Sequence, residues 1–237
     1  MSNGSSSGSQ PADEVTVVPF GDSAVLALLG NRIDMRLNAR AHALADRLRR
    51  LRVDDPRLGR PVPAHASVLL PYDCSVLGFA EVTALLADQL HQLLATEREP
   101  PEPTDDPPVF EIGVRYGGVD GPDLDAVAAA LGLEPREVVE LHSKAVYRVF
   151  MLGFAPGFAY LGPLRRRLTL PRRETPRIRV PAGSVAIASE QTAVYPSATA
   201  GGWHLIGRTE VSVWNALAEP PAALAPGRLV RFRPLLD

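Results

Sequence analysis

This sequence has one cysteine and one lysine in 237 residues, and aromatic residues make up only 6% of it. With Cys74 alone, no internal disulfide can form and a multi-thiolate metal cluster is excluded. The basic residues are 24 arginines against the single Lys144, a bias that the base composition of the source genome would account for. No apolar run approaches the length needed to span a bilayer. The first ten residues, MSNGSSSGSQ, lack the charged and apolar regions of a signal peptide, so a soluble, cytoplasmic chain is expected. A net charge of -2 argues against a general nucleic-acid or membrane partner. Several catalytic signatures are also missing. There is no GxxxxGK[ST] phosphate loop, no GxSxG elbow and no HExxH, and Gly153, Gly157 and Gly162 do not make a dinucleotide fingerprint. ATP chemistry would need a site outside these motifs or on a partner, and no metal site is expected.

The 46% apolar content can support a substantial core. Residues 1–12 are Ser/Gly-rich and read as a flexible tail. Over 13–96, short apolar runs at Val15–Pro19, Ala24–Leu29 and Ser67–Tyr72 read as strands. Leu37, Ala41, Leu44, Leu48 and Leu51 recur at helical spacing, with Asp34 placed to cap them. Phe79, Val82, Leu86, Leu90 and Leu93 give a second helix. The order predicts a small α+β domain. Glu97–Pro108, EREPPEPTDDPP, can bury nothing and reads as a stiff linker. Over 109–237, Val109–Tyr116 reads as a strand, Asp123 precedes a helix ended by Gly132, and Pro135 opens another that ends at His142. His142 and Lys144 there read as cations opposed to the helix dipole. From Tyr147 on, short strands with Gly/Pro turns predict a mainly-β barrel or sandwich.

The segment Gly153–Thr209 carries the candidate chemistry. Arg165, Arg166, Arg167, Arg172, Arg173, Arg177 and Arg179 crowd fifteen residues in which Glu174 is the one acid. A solvated loop is the simplest reading of the first three. Pro171, Pro176 and Pro181 stiffen the backbone around Arg172, Arg173 and Arg177, which favours a rigid grip on carboxylate or phosphate. Gly183-Ser184 precedes a strand, and its N–H groups could cradle an oxyanion; an ordinary turn is an equal reading. Ser184 lacks a base at a local spacing that would make it a nucleophile. Gln191 and Tyr195 flank a short strand and could close a pocket, or could simply be polar strand ends. Gly201-Gly202-Trp203-His204 allows close backbone approach, and His204 is a candidate acid–base group, although a lone histidine is more often structural. Arg173, Arg177, Ser184, Gln191 and His204 are expected to converge on one face of the second domain.

These same stretches, GFAPGFAYLG, LPRRETPR, VPAGSVAIA, QTAVYP and GGWHLIGRT, resemble the KipI family, also called allophanate hydrolase subunit 1, whose better-characterised activity is that of the 5-oxoprolinase B subunit. The likeness extends upstream to Phe20–Ala24, Tyr116–Gly118 and Gly121–Leu124, and downstream to Pro226-Gly227. It implies an α+β N-terminal domain followed by a cyclophilin-like β-barrel, with C and A subunits of 5-oxoprolinase as partners. It also implies hydrolysis of 5-oxo-L-proline to L-glutamate by the complex, driven by ATP that need not sit on this chain. Allophanate hydrolysis, or inhibition of a sporulation histidine kinase, are the alternatives the family offers. From the residues themselves, His204 and Ser184 are the catalytic candidates, and Arg172, Arg173, Arg177, Gly183, Gln191, Tyr195, Gly202 and Trp203 the substrate-binding ones. The chain departs from the family pattern at Ala200, Ala186, Arg228 and Cys74, none of which removes a polar candidate.

Overall fold

The computed structural model describes residues 15–96 and 108–235. The expected tail and all but the last residue of the expected linker lie outside them. The chain divides into two compact units, Met1–Arg98 and Glu99–Asp237.

The first unit runs β1 (Thr16–Pro19), β2 (Ala24–Leu28), α1 (Met35–Asp54), β3 (Val62–Pro63), β4 (Ser67–Pro71) and α2 (Phe79–Thr96). Its strands form an antiparallel sheet in the order β1-β2-β4-β3. Asp34 starts α1 by accepting the N–H groups of Arg36 and Leu37 at 2.8 and 3.1 Å. The α1 stripe of Leu37, Ala41, Leu44 and Leu48 then packs with Val25, Val68, Leu70, Val82 and Leu86 in one core.

The second unit runs β5 (Phe110–Tyr116), α3 (Leu124–Leu131), α4 (Pro135–Ser143), β6 (Val146–Leu152), β7 (Ala159–Gly162), a 3-10 turn at Arg166–Leu168, β8 (Arg177–Val180), β9 (Ser184–Ala188), β10 (Gln191–Val194), β11 (Thr199–Gly201), β12 (His204–Arg208) and β13 (Leu229–Pro234). Seven strands close a barrel in the order β10-β7-β6-β13-β5-β12-β9. Closure settles the barrel-or-sandwich choice. The one parallel pair in it is β5 with β13. Alternation along β13 buries Val230 and Phe232 and leaves Arg231 and Arg233 outside.

The β9 strand is buried on both faces. Val185 and Ile187 belong to the barrel interior, with Val149, Leu161, Ile206 and Phe232. Ala186 and Ala188 belong to a second cluster with Phe158, Val180, Tyr195, Trp203 and Leu205. The small side chains on that face are what let a second layer approach the barrel wall. Part of this layer is the separate ribbon of β8 and β11. In the sequence Arg177–Val180 falls in the Pro-bounded, Arg-rich stretch read as loop, because Pro176 and Pro181 leave its Arg-Ile-Arg-Val alternation only four residues long. Among the described residues, no helix is long and apolar enough to cross a membrane.

His142 corrects a second expectation, since it is no cation at a helix end. It is fully buried in the barrel, its ring 4.6 Å from that of Phe232. Thr192 Oγ1 donates to the Ala186 carbonyl at 3.0 Å, so His142 Nε2–H must donate to Thr192, at 2.8 Å. His142 Nδ1 then accepts from the Tyr116 hydroxyl at 2.8 Å. Both ring nitrogens are satisfied only in the neutral form, and burial pushes the pKa down to about 3. The unfolded chain therefore binds a proton that the folded one rejects between pH 6.5 and about 3. Stability is expected to fall as the pH drops through that window, by about 1.4 kcal/mol per unit from this group. His142→Gln should be less stable at neutral pH, and urea titrations should show its deficit shrinking as the pH is lowered. A deficit independent of pH would contradict a neutral His142.

Candidate functional site

Asp123 supplies the acid that the arginine-rich segment lacks. It is 5% exposed, and its carboxylate takes both arms of Arg177, Nη2 to Oδ1 at 2.7 Å and Nη1 to Oδ2 at 2.8 Å. Arg173 Nη1 adds a bond to Oδ1 at 3.2 Å, and its Nε is buried without an acceptor. The backbone N–H of Leu205 donates to Oδ2 at 2.7 Å, while the Asp123 N–H donates to the Leu205 carbonyl at 2.9 Å. Burial opposes ionisation of Asp123. The bonds from Arg177 and Leu205, with the charges of Arg177 and Arg173, outweigh it and hold the carboxyl below its usual range. Asp123 precedes α3 but makes no side-chain cap for it; its carboxylate is fully engaged elsewhere.

This anchor fixes the loop from Pro171 to Pro176. The Arg173 N–H donates to the Gly202 carbonyl at 2.8 Å, and His204 Nε2 donates to the Pro171 carbonyl at 2.9 Å. Arg172 therefore lies between two backbone ties. Its own guanidinium is exposed, and no carboxylate pairs with it among the described residues. It sits within electrostatic reach of the Tyr160 and Tyr195 phenols, whose pKa values burial raises and Arg172 lowers. Those tyrosines belong to an aromatic patch. Phe158 meets Phe154, Tyr160, Tyr195 and Trp203 edge-on at 5.2, 5.0, 5.3 and 5.8 Å between ring centres. Phe154 is 61% exposed and has φ 66°, a conformation that costs a bulky residue about 1–3 kcal/mol.

The other predicted residues are more dispersed. Gly183 has φ 79°, and a Cβ there would strike the Thr209 carbonyl, so glycine is required. Its N–H donates to the Tyr195 carbonyl at 2.8 Å and that of Ser184 to Pro181 at 3.3 Å, so neither is left for an oxyanion. Ser184 and Gln191 are both buried and lie at opposite ends of the β9–β10 hairpin, about 13 Å apart at 3.3 Å per residue. Tyr195 and Trp203 are buried in the patch, where the Trp203 N–H donates to Tyr195 and Gly201 admits the phenol against its Cα. Gly202 supplies the carbonyl for Arg173. Sequence reasoning missed Asp123 as a site residue because it lies 50 and 54 positions from its arginines. The signal was the surplus of arginine itself, which required an acid from elsewhere. Phe154 and Tyr160 stood in a quoted motif without an assigned role. Among the described residues, no group of three or more His, Cys, Asp or Glu could hold a metal.

The carboxyltransferase domain family, subdomains C and D, matches residues 15–224. The chain belongs to this family. It is 43% identical over 215 residues to the 5-oxoprolinase B subunit of Escherichia coli O157:H7, covering 91% of this chain and 94% of that protein. To the 5-oxoprolinase B subunit of Bacillus subtilis (strain 168) it is 37% identical over 221 residues, 90% of each chain. The crystal structure of TTHA0988 shares the fold at 39% identity with a TM-score of 0.74; it covers 90% of this chain, which spans only 40% of that longer protein. The family resemblance read from the motifs therefore holds.

The family member's Asp123–Arg177 pair gives a test. Arg177→Ala removes two of the four bonds to a buried carboxylate and is expected to cost about 3 kcal/mol, as for other buried pairs broken on one side. The loss should be largest above the carboxylate's unfolded pKa and should fade as the pH falls through its lowered folded value. Urea unfolding checks this; a loss under about 0.5 kcal/mol, the range of ordinary surface changes, would mean that the pair holds nothing.

Proposed function

We propose that this chain is the B component of an ATP-dependent 5-oxoprolinase complex that hydrolyses 5-oxo-L-proline to L-glutamate. The observation that carries this reading is the pair of relatives named as 5-oxoprolinase B subunits, matched at 43% and 37% identity along 90% or more of every chain. TTHA0988 adds support for a companion: there, a domain similar to this chain occupies less than half of one polypeptide. In the proposed complex, the C and A subunits are the partners, the second unit is the cyclophilin-like barrel, and the assembly is cytoplasmic.

The chemistry needs more than this chain. A lactam is a resonance-stabilised, poor electrophile, and the proposed hydrolysis draws on ATP. The candidate residues do not make a phosphate cradle. The Gly183 and Ser184 amides are bonded within the turn, and Arg173 and Arg177 are paired with Asp123. ATP is accordingly assigned to the companion subunits. His204 donates its Nε2 proton to a backbone carbonyl, which suits positioning better than proton transfer. Ser184 is buried, and among the described residues no hydrogen bond joins its hydroxyl to a basic side chain. Its part, too, is architectural.

Co-expression with the C and A subunits from the same source tests the reading. The three chains are expected to co-purify and to consume 5-oxoproline only with ATP, while this chain alone is inactive. Turnover by the isolated chain, or an assembled complex that leaves 5-oxoproline untouched, would contradict it.

A further inference from the structure

We infer that Arg172 and the aromatic patch of Phe154 and Tyr160 form a binding site on this chain for the carboxylate of a small ring-bearing acid.

The guanidiniums of the arginine-rich segment differ in availability. Arg173 and Arg177 are held by Asp123, and Arg167 pairs with Glu137 at 3.4 Å. Among the described residues Arg172, like Arg165, Arg166 and Arg179, has no such partner, and its backbone lies between two ties, at Pro171 to His204 and at Arg173 to Gly202. A guanidinium on a fixed backbone loses less freedom when it closes on a carboxylate, and its planar fork fits both oxygens. The two ties flank Trp203, whose ring lies 5.9 Å from that of Tyr160, so an aromatic surface lies beside this turn. Tyr160 is half-buried and Phe154 largely exposed, both packed on Phe158. Phe154 holds a left-handed conformation while most of its ring stays exposed. An apolar ring laid against Phe154 and Tyr160 would bury that surface. An unpaired guanidinium beside an apolar wall suits a monoanionic carboxylate on a flat body. A phosphate would call for more cations or free amides, which this turn does not offer. His204 acts here as a positioning residue, through the Pro171 carbonyl. For the identity of the acid, 5-oxo-L-proline, the inference rests on the function proposed above. The existence of the site does not.

The full chain would be titrated by NMR with 5-oxo-L-proline, with 2-pyrrolidinone (the ring without its carboxylate), with acetate, with a panel of other small ring carboxylates and with inorganic phosphate. A ring carboxylate is expected to saturate, with 2-pyrrolidinone and acetate at least about tenfold weaker. Arg172→Gln should weaken it by about tenfold or more without changing the melting temperature, since the side chain is exposed. Phe154→Ala should weaken it severalfold. His204→Ala should weaken it and His204→Gln, which keeps a donor, should restore it. Saturable, Arg172-dependent binding of another ring carboxylate but not of 5-oxoproline would uphold the site and count against the 5-oxoprolinase reading. Turnover of 5-oxoproline by the assembled complex that is unchanged in Arg172→Gln would overturn the assignment of 5-oxoproline to this site and leave that reading intact. The inference also fails if no ring carboxylate saturates below ~50 mM, a concentration at which even a very weak specific site is filled, or if phosphate alone binds.

Discussion

The bond set around Asp123 is the constraint on which the rest of the second unit's outer layer depends. One buried carboxylate accepts from two arginines and a strand amide, and its own amide returns a bond to that strand. It thereby joins the start of α3, the β12 strand and the arginine-rich loop. A buried charge is tolerated only when nearly every lone pair is satisfied, and here the arginines do that. The result is a platform whose parts cannot move separately without exposing an unpaired ion. Arg172 inherits its position from that platform while contributing nothing to it.

Behind the platform lies a barrel wall thin enough to be covered on both sides. Ala186, Ala188 and Ala193 keep the outer face of β9 and β10 low, so that Phe158, Tyr195 and Trp203 can pack onto it. The interior face is filled by larger side chains and by His142, whose neutral ring is locked between Tyr116 and Thr192. Core and site are therefore separated by a single strand layer. Thr192 marks the division, its hydroxyl turned inward while its neighbours Gln191 and Ala193 take the opposite side by strand alternation.

Much of the architecture could be read from local pattern. The Leu37–Leu48 stripe, the Asp34 cap, Gly132 at the end of α3 and the Val230/Phe232 alternation are all short-range signals, and each appears as a physical feature of the fold. Elements dictated by distant partners were not legible. The β8 strand pairs with β11 across a gap in sequence, and its Arg-Ile-Arg-Val alternation, four residues between Pro176 and Pro181, is too short to be told from a loop without that partner. The site divides the same way. That arginine was gathered for a purpose could be seen, but which arginine is engaged and which is free depends on Asp123, some fifty residues upstream. His142 resists a local reading for a related reason: its partners lie on β5, β10 and β13, not on its own helix.

The central claim, that the Asp123 carboxylate holds the Pro171–Pro176 loop in place, is tested most directly by amide hydrogen exchange in Asp123→Asn. Asn cannot offer two ionised oxygens to Arg173 and Arg177. The Arg173 amide, bonded to Gly202, is expected to lose most of its protection while amides between β5 and β13 keep theirs. Unchanged protection at Arg173 would show that the loop is held by something other than Asp123.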